Sequence, residues 1–183
     1  LALIQVSRLG QLRTGAASGV ATQYMARETS SSLGVIGAGF QAETQIEAVC
    51  AVRDIEHIRV YSRTPELRQQ FAERIAKSTN VETSPVETAQ RATEGADIVC
   101  TATNSSDPVL NGAWLDEGAH VNAVGSNSLL RKEIDDAVAE RAHMIAVDDT
   151  TQIDLEGGDL LSALTRGLIN RSKLIDLSRI ASG

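Results

Sequence analysis

Gly37, Gly39 and Ala42 form a GxGxxA run directly after the apolar residues Leu33, Val35 and Ile36, and that order has a chemistry attached to it. A strand that turns sharply into a helix leaves the first helical N–H groups free, and their partial positive charge suits a phosphate. The first glycine permits the reversal, and the second lacks a Cβ, so a pyrophosphate can touch the backbone. The small third residue lets the helix close on the sheet. Phe40 and Gln41 lie inside the same turn and belong to the same candidate site. Strand, turn and helix in this order make the run more specific than an isolated glycine match.

A second group of residues concerns the other end of such a ligand. Ile58, Val60 and Tyr61 make the next strand, and its tip lies about 25 residues beyond Gly37, where an acidic residue would bind a ribose 2′-hydroxyl. This chain has Ser62, Arg63 and Thr64 there. A carboxylate would repel a 2′-phosphate, whereas a hydroxyl and a guanidinium bind one through charge-assisted hydrogen bonds. The expected cofactor is therefore NADP(H), with NAD(H) second.

These residues need a scaffold, and the pattern supplies one. Helices are expected over residues 15–28, 41–52, 65–76, 84–93, 131–141, 150–155 and 159–165. Thr64 and Pro65 suit a helix start, and Gly95 can end the fourth of these helices. Strands are expected at 33–36, 58–61, 81–83, 96–101, 120–124 and 144–147, the last as the sixth of the sheet. The unbroken apolar run ADIVCT at 96–101 is that of a buried parallel strand. Strands alternating with helices imply an α/β fold with a doubly wound parallel sheet. Ligands of such sheets bind beyond the carboxyl ends of the strands, which adds two loops to the candidate site. In one, residues 101–106, Thr101, Ala102 and Thr103 offer backbone and hydroxyl groups, with Thr103 on the ribose or adenine side of the cofactor. In the other, Val124 and Gly125 allow close approach to a nicotinamide, and Ser126 and Asn127 can hydrogen-bond.

Composition narrows the classes of function. The 183 residues carry 42% hydrophobic side chains and a net charge of −7, enough for a real core and no attraction for nucleic acid or an anionic membrane. Cys50 and Cys100 sit in apolar contexts without metal-ligand spacing, so they are expected to be buried free thiols, and no metal is expected. No apolar run reaches the ~20 residues of a membrane span, and no basic-then-apolar leader opens the chain, so the expected location is the cytoplasm. The chain begins at Leu1 and not at methionine, and it is expected to be part of a larger two-domain polypeptide.

Several segments, taken in order, resemble one family. They are Arg13-Thr14-Gly15-Ala16-Ala17, IGAGFQA at 36–42, Tyr61-Ser62-Arg63-Thr64, ADIVCTAT at 96–103, NAVGSN at 122–127, and Arg131-Lys132-Glu133-Ile134-Asp135. Together they resemble the ornithine cyclodeaminase/mu-crystallin family. The resemblance implies a homodimer in which a Rossmann domain is joined to a substrate and dimerisation domain. Residues 1–30 would lead from that second domain, 31–170 would bind the dinucleotide, and 171–183 would return. It also implies that Arg13 binds a substrate carboxylate, which suits a planar guanidinium.

Two departures from the family pattern sharpen the expectation. Cyclodeaminases and alanine dehydrogenase-like members use an aspartate as acid/base where this chain has Asn127, and an amide cannot transfer a proton at neutral pH. Arg131 stands where the cyclodeaminase pattern has a cofactor-contacting lysine, and it keeps the charge. The expected activity is that of an NADP(H)-dependent oxidoreductase of a small amino or imino acid, with Arg13 and Asn127 placing the substrate. The alternatives are an NADPH-dependent ligand-binding protein like mu-crystallin, and an ornithine- or lysine-type cyclodeaminase that recycles its cofactor.

Overall fold

The computed structural model describes residues 6–183; the first five residues of the expected leading segment lie outside them. Five parallel strands make the main sheet: β1 (Ser32–Ile36), β2 (His57–Tyr61), β3 (Glu82–Pro85), β4 (Ile98–Thr101) and β5 (His120–Ala123), in the order β3-β2-β1-β4-β5. This is the Rossmann order over five strands, and its switch point falls between β1 and β4.

Helices cover both faces because the strands are apolar on both. On one side Val35, Ile58, Val60 and Cys100 pack with Ala42, Ile46 and Val49 of α2 (Phe40–Val52) and with Phe71 and Ile75 of α3 (Pro65–Thr79). On the other side Ile36 and Val99 meet Leu110, Ile134 and Val138, the last from α5 (Asp136–Arg141). The short α4 (Ala89–Thr93) crosses closely over β1: a Cβ on Gly34 would come within 2.2 Å of Ala92 O. Burial leaves both thiols neutral, raising Cys50 to about 11 and Cys100 to about 12.

Several elements differ from their expected bounds, each for a physical reason. The first helix, α1, runs from Ser7–Met25 and not 15–28. No proline interrupts residues 7–14, and Gly10 and Gly15 stay helical because the helix packs against α2. Ser84 and Pro85, expected to open a helix, belong to β3, an edge strand where a missing N–H is tolerated. The helix begins at Ala89, with Thr88 Oγ1 accepting from Arg91 N at 3.1 Å. The helix expected at 131–141 begins at Asp136, because Asp135 caps it by accepting from Val138 N at 3.1 Å. Residues 133–134 instead run alongside Leu110 as a parallel bridge.

The strand expected to be the sixth of the sheet, β6 (Ile145–Val147), is not part of it. It pairs in parallel with β7 (Leu174–Asp176), a strand absent from the sequence reading, and this small sheet has its own core of Ile153, Leu160, Ala163, Ile169 and Leu174. Around it lie α6 (Ile153–Glu156), α7 (Gly158–Thr165) and α8 (Leu177–Ser182). No helix among the described residues is long and apolar enough to cross a membrane.

A buried polar chain joins α1 to the sheet. His120 Nε2 donates to Asn122 Oδ1 at 3.1 Å, and Asn122 Nδ2 donates to Thr22 Oγ1 at 3.0 Å; the imidazole tautomer follows from the amide oxygen that faces it. Burial, reinforced by the Arg53 charge, lowers the His120 pKa from 6.5 to about 4. The folded state therefore resists protonation while the unfolded chain accepts it, so stability falls as pH drops from 6.5 towards 4. Between pH 7 and pH 5 His120 should remove about 2 kcal/mol. Urea unfolding of the wild type and of His120→Gln at the two pH values will show it, with the variant losing less stability on acidification.

Candidate active site

The four strand tips stand level. Tyr61, Ile36, Thr101 and Ala123 are register partners across β2, β1, β4 and β5, so the row spans about 14 Å at ~4.8 Å per strand. The loops leaving these tips are the four singled out by sequence: 37–42, 62–64, 101–106 and 124–127. They form one continuous crevice edge.

The glycine turn occupies the middle of this edge. Gly37 has φ of 122°, and a Cβ there would lie 2.4 Å from Ala102 O. Its N–H donates to Tyr61 O at 2.8 Å, while Ala102 N donates to Ile36 O at 2.9 Å, so the turn is tied to the strands on either side. Gly39 contrasts with Gly37: it has ordinary φ and open space where a Cβ would be. It is the N-cap of α2 and offers no capping side chain, so the N–H groups of the first turn have no hydrogen-bond partner among the described residues. Ala42 is fully buried against the sheet. Phe40 is exposed beside the turn, and the buried Oε1 of Gln41 has no partner among the described residues.

At the β2 tip the structure adds a cation to those expected. Arg63 is exposed and Ser62 half-buried. Ser62 Oγ donates to Thr64 O at 3.3 Å. From α3, Arg68 donates to Ser62 O at 3.0 Å and lies over the Tyr61 ring at 5.7 Å from its centroid. Its Nε is buried with no partner among the described residues. Two guanidinium groups and a hydroxyl thus surround this tip, and no carboxylate is hydrogen-bonded there among the described residues.

At the opposite end, Asn127 is exposed and its Oδ1 accepts from Arg131 at 3.3 Å, while Ser126 Oγ donates to Arg131 O at 2.8 Å. Asn127 and Arg131 therefore face each other across one short loop. Arg13 is placed differently. Gln11 and Gly15, two residues to either side of it, face α2: Gln11 donates to Phe40 O, and a Cβ on Gly15 would lie 2.7 Å from Thr44 O. Two residues turn a helix by about 200°, so Arg13 stands on the far, exposed side of α1 with Leu9. The described residues do not bring it into the strand-tip row.

The whole chain, residues 1–183, matches the family model for the ornithine cyclodeaminase/mu-crystallin family. The chain belongs to that family. Its relatives include the Delta(1)-pyrroline-2-carboxylate reductase of Bacillus cereus, 39% identical over 184 residues that take in 100% of this chain and 56% of the relative. Among solved structures, the Delta(1)-pyrroline-2-carboxylate reductase of Thermococcus litoralis with NADH and L-proline superposes with a TM-score of 0.95 at 39% identity, covering 100% of this chain and 57% of that one. The iminosuccinate reductase of Paracoccus denitrificans with NAD+ gives 0.89 at 28% identity, over 97% of this chain and 54% of that one. The chain spans about half the length of these relatives.

Within this family fold two side chains escaped the sequence reading. Arg68 lies four residues past Thr64, one helical turn into α3, and that spacing was a usable signal. Glu133 was hidden inside a supposed charged helix. It is fully buried in a non-helical run, and both its oxygens accept hydrogen bonds from the 101–103 and 124–127 loops.

The two glycines of the turn should respond differently to a methyl group. Gly37→Ala meets both an unfavourable φ and the Ala102 carbonyl, and should cost roughly 1–3 kcal/mol or more. Gly39→Ala meets nothing and should leave the unfolding midpoint close to wild type. Thermal and urea melts of the pair decide this.

Proposed function

We propose that the full-length protein is an NADP(H)-dependent oxidoreductase that interconverts a small imino acid and the corresponding amino acid. The observation that carries the reading is the level row of strand tips, with the uncapped N-terminus of α2 at its centre and cations at one end. The reductase relatives act on small substrates of this class, and their solved structures hold NADH with L-proline, or NAD+.

In this reading the N–H groups at the start of α2 bind the pyrophosphate, and the missing Cβ of Gly39 leaves room for it. When bound, the dinucleotide supplies or accepts the hydride. Thr101, Ala102 and Thr103 meet the ribose or adenine side of the dinucleotide, while Val124, Gly125 and Ser126 line the nicotinamide half and hold the ring against the sheet edge. Asn127, oriented by Arg131, hydrogen-bonds the reacting substrate without transferring a proton. Arg13 pairs with the substrate carboxylate in a pocket completed by the rest of the polypeptide, which would cover the exposed face of α1. Residues 31–170 form the dinucleotide unit, 1–30 lead into it, 171–183 lead back, and the full-length protein is a homodimer. The proton taken up at nitrogen comes from water or from a group outside this chain.

The choice of NADP(H) rests on Ser62, Arg63 and Arg68. Two arginines close to a 2′-phosphate gain charge-assisted hydrogen bonds, and no carboxylate at the tip holds a free ribose hydroxyl.

Two measurements test the reading. Calorimetric titration should give tighter binding of NADPH than of NADH, and Arg63→Ala should remove most of the difference, a change of about 1.5–3 kcal/mol. Equal affinities in the unmodified protein would refute the cofactor assignment. Full-length protein should oxidise NADPH with cyclic imino acids or with α-keto acids and ammonia; no turnover across that panel, with ligand bound tightly, would make it a binding protein.

A further inference from the structure

Residues 131–135 run beneath the ends of β4 and β5, and Glu133 lies where the two loops leave those strands. Its side chain is fully buried. No Lys, Arg or His forms an ion pair with it among the described residues. Oε2 accepts from Thr101 Oγ1 at 2.8 Å and from Gly125 N at 2.6 Å, and Oε1 accepts from Thr103 N. The ladder between β4 and β5 has ended here, with Val124 N donating to Thr101 O at 3.0 Å. Beyond that point the carboxylate takes over, accepting one main-chain N–H from each loop.

The fit around it is tight. A Cβ on Gly125 would lie 2.6 Å from the Glu133 carboxyl group and 2.1 Å from Thr103 O, so the two loops touch with the carboxylate as their spacer. The residue itself is held from two directions. Its carbonyl accepts from Val109 N at 2.8 Å and Leu110 N at 2.9 Å. Its N–H donates to Asp159 Oδ1 at 2.6 Å, which also accepts from Ile134 N at 3.1 Å. Asp159 belongs to the first turn of α7, so the small β6–β7 unit helps fix Glu133. A carboxylate buried without a counter-ion is a costly choice for filling space. Its distinctive capacity is to accept at both oxygens at once.

We propose that Glu133 is a positioning residue: by accepting N–H groups from both loops it sets their separation, and with it the seat of the nicotinamide relative to Asn127. The second half of this statement rests on the dinucleotide reading given above. Glutamine has the same shape but accepts through one atom only. Whichever way its amide turns, an NH2 group faces the N–H of either Thr103 or Gly125, and that loop must move away.

Hydrogen exchange on the full-length, cofactor-free protein reads the first half directly. In Glu133→Gln, peptides covering 101–103 and 124–127 should exchange at least about tenfold faster, while peptides from β1 and β2 keep the wild-type rate. Thr101→Val leaves both main-chain bonds in place and should exchange at close to the wild-type rate throughout. Unchanged exchange in both loops, or an equal rise across the whole sheet, would overturn the proposal. In turnover, Glu133→Gln should lower kcat about tenfold or more, with the dinucleotide Kd changed by less than about threefold because the glycine turn and the β2 tip are untouched. A weakened Kd with kcat preserved would overturn the positioning role. Failure of the wild type to bind any dinucleotide would remove the functional reading, and the exchange comparison would still decide the clamp.

Discussion

Everything at the crevice depends on one close approach, the absence of a Cβ on Gly37 against the carbonyl of Ala102. That contact lets β1 and β4 run side by side to the switch point and still allows the chain to turn out of β1 into α2. With the turn bonded to Tyr61 O on one side and β4 held to Ile36 O on the other, the start of α2 is aimed over the sheet edge by main-chain geometry alone. Side chains then need only decorate a platform that is already set. This explains why the row of tips is level.

The elements built from local signals were legible in the sequence. Continuous apolar strands, the glycine turn and the Thr64-Pro65 helix start all carry their information within a few residues, and the four loops they predict do meet along one edge. What could not be read locally depends on partners distant in sequence. β7 is three residues long and exists because β6 lies beside it. Ser84 and Pro85 become strand because the edge of the sheet is open to them. The run 131–135 has helix-like composition, yet the cap at Asp135 and the bridge to Leu110 hold it extended.

For the candidate site, the residue types were legible and their relations were not. Arg63 was visible as a charge at a strand tip, whereas Arg68 emerges only once α3 is wound and its guanidinium comes to rest on Tyr61. Asn127 and Arg131 were each singled out, but their pairing follows from a loop whose course periodicity does not define. Arg13 lies the other way round its helix from the crevice, a fact that rests on Gln11 and Gly15 facing α2. The Glu133 carboxylate was obscured by the usual expectation that an acidic residue in a charged run faces water.

The anchoring of α1 has one more implication. This helix contains three glycines and has no side-chain cap at its start. Its last carbonyls are satisfied from elsewhere: Arg53 donates to the carbonyls of Thr22 at 2.9 Å, Gln23 at 3.1 Å and Ala26 at 2.8 Å. Farther along, Thr22 is held by Asn122, a hundred residues away. Such a helix has little reason to form by itself. During synthesis α1 leaves the ribosome before α2 and β5, but the groups that complete it come from α2's far end and from β5. A segment made earlier thus waits for later ones to complete it, and α1 is a product of the nucleotide fold, not its foundation.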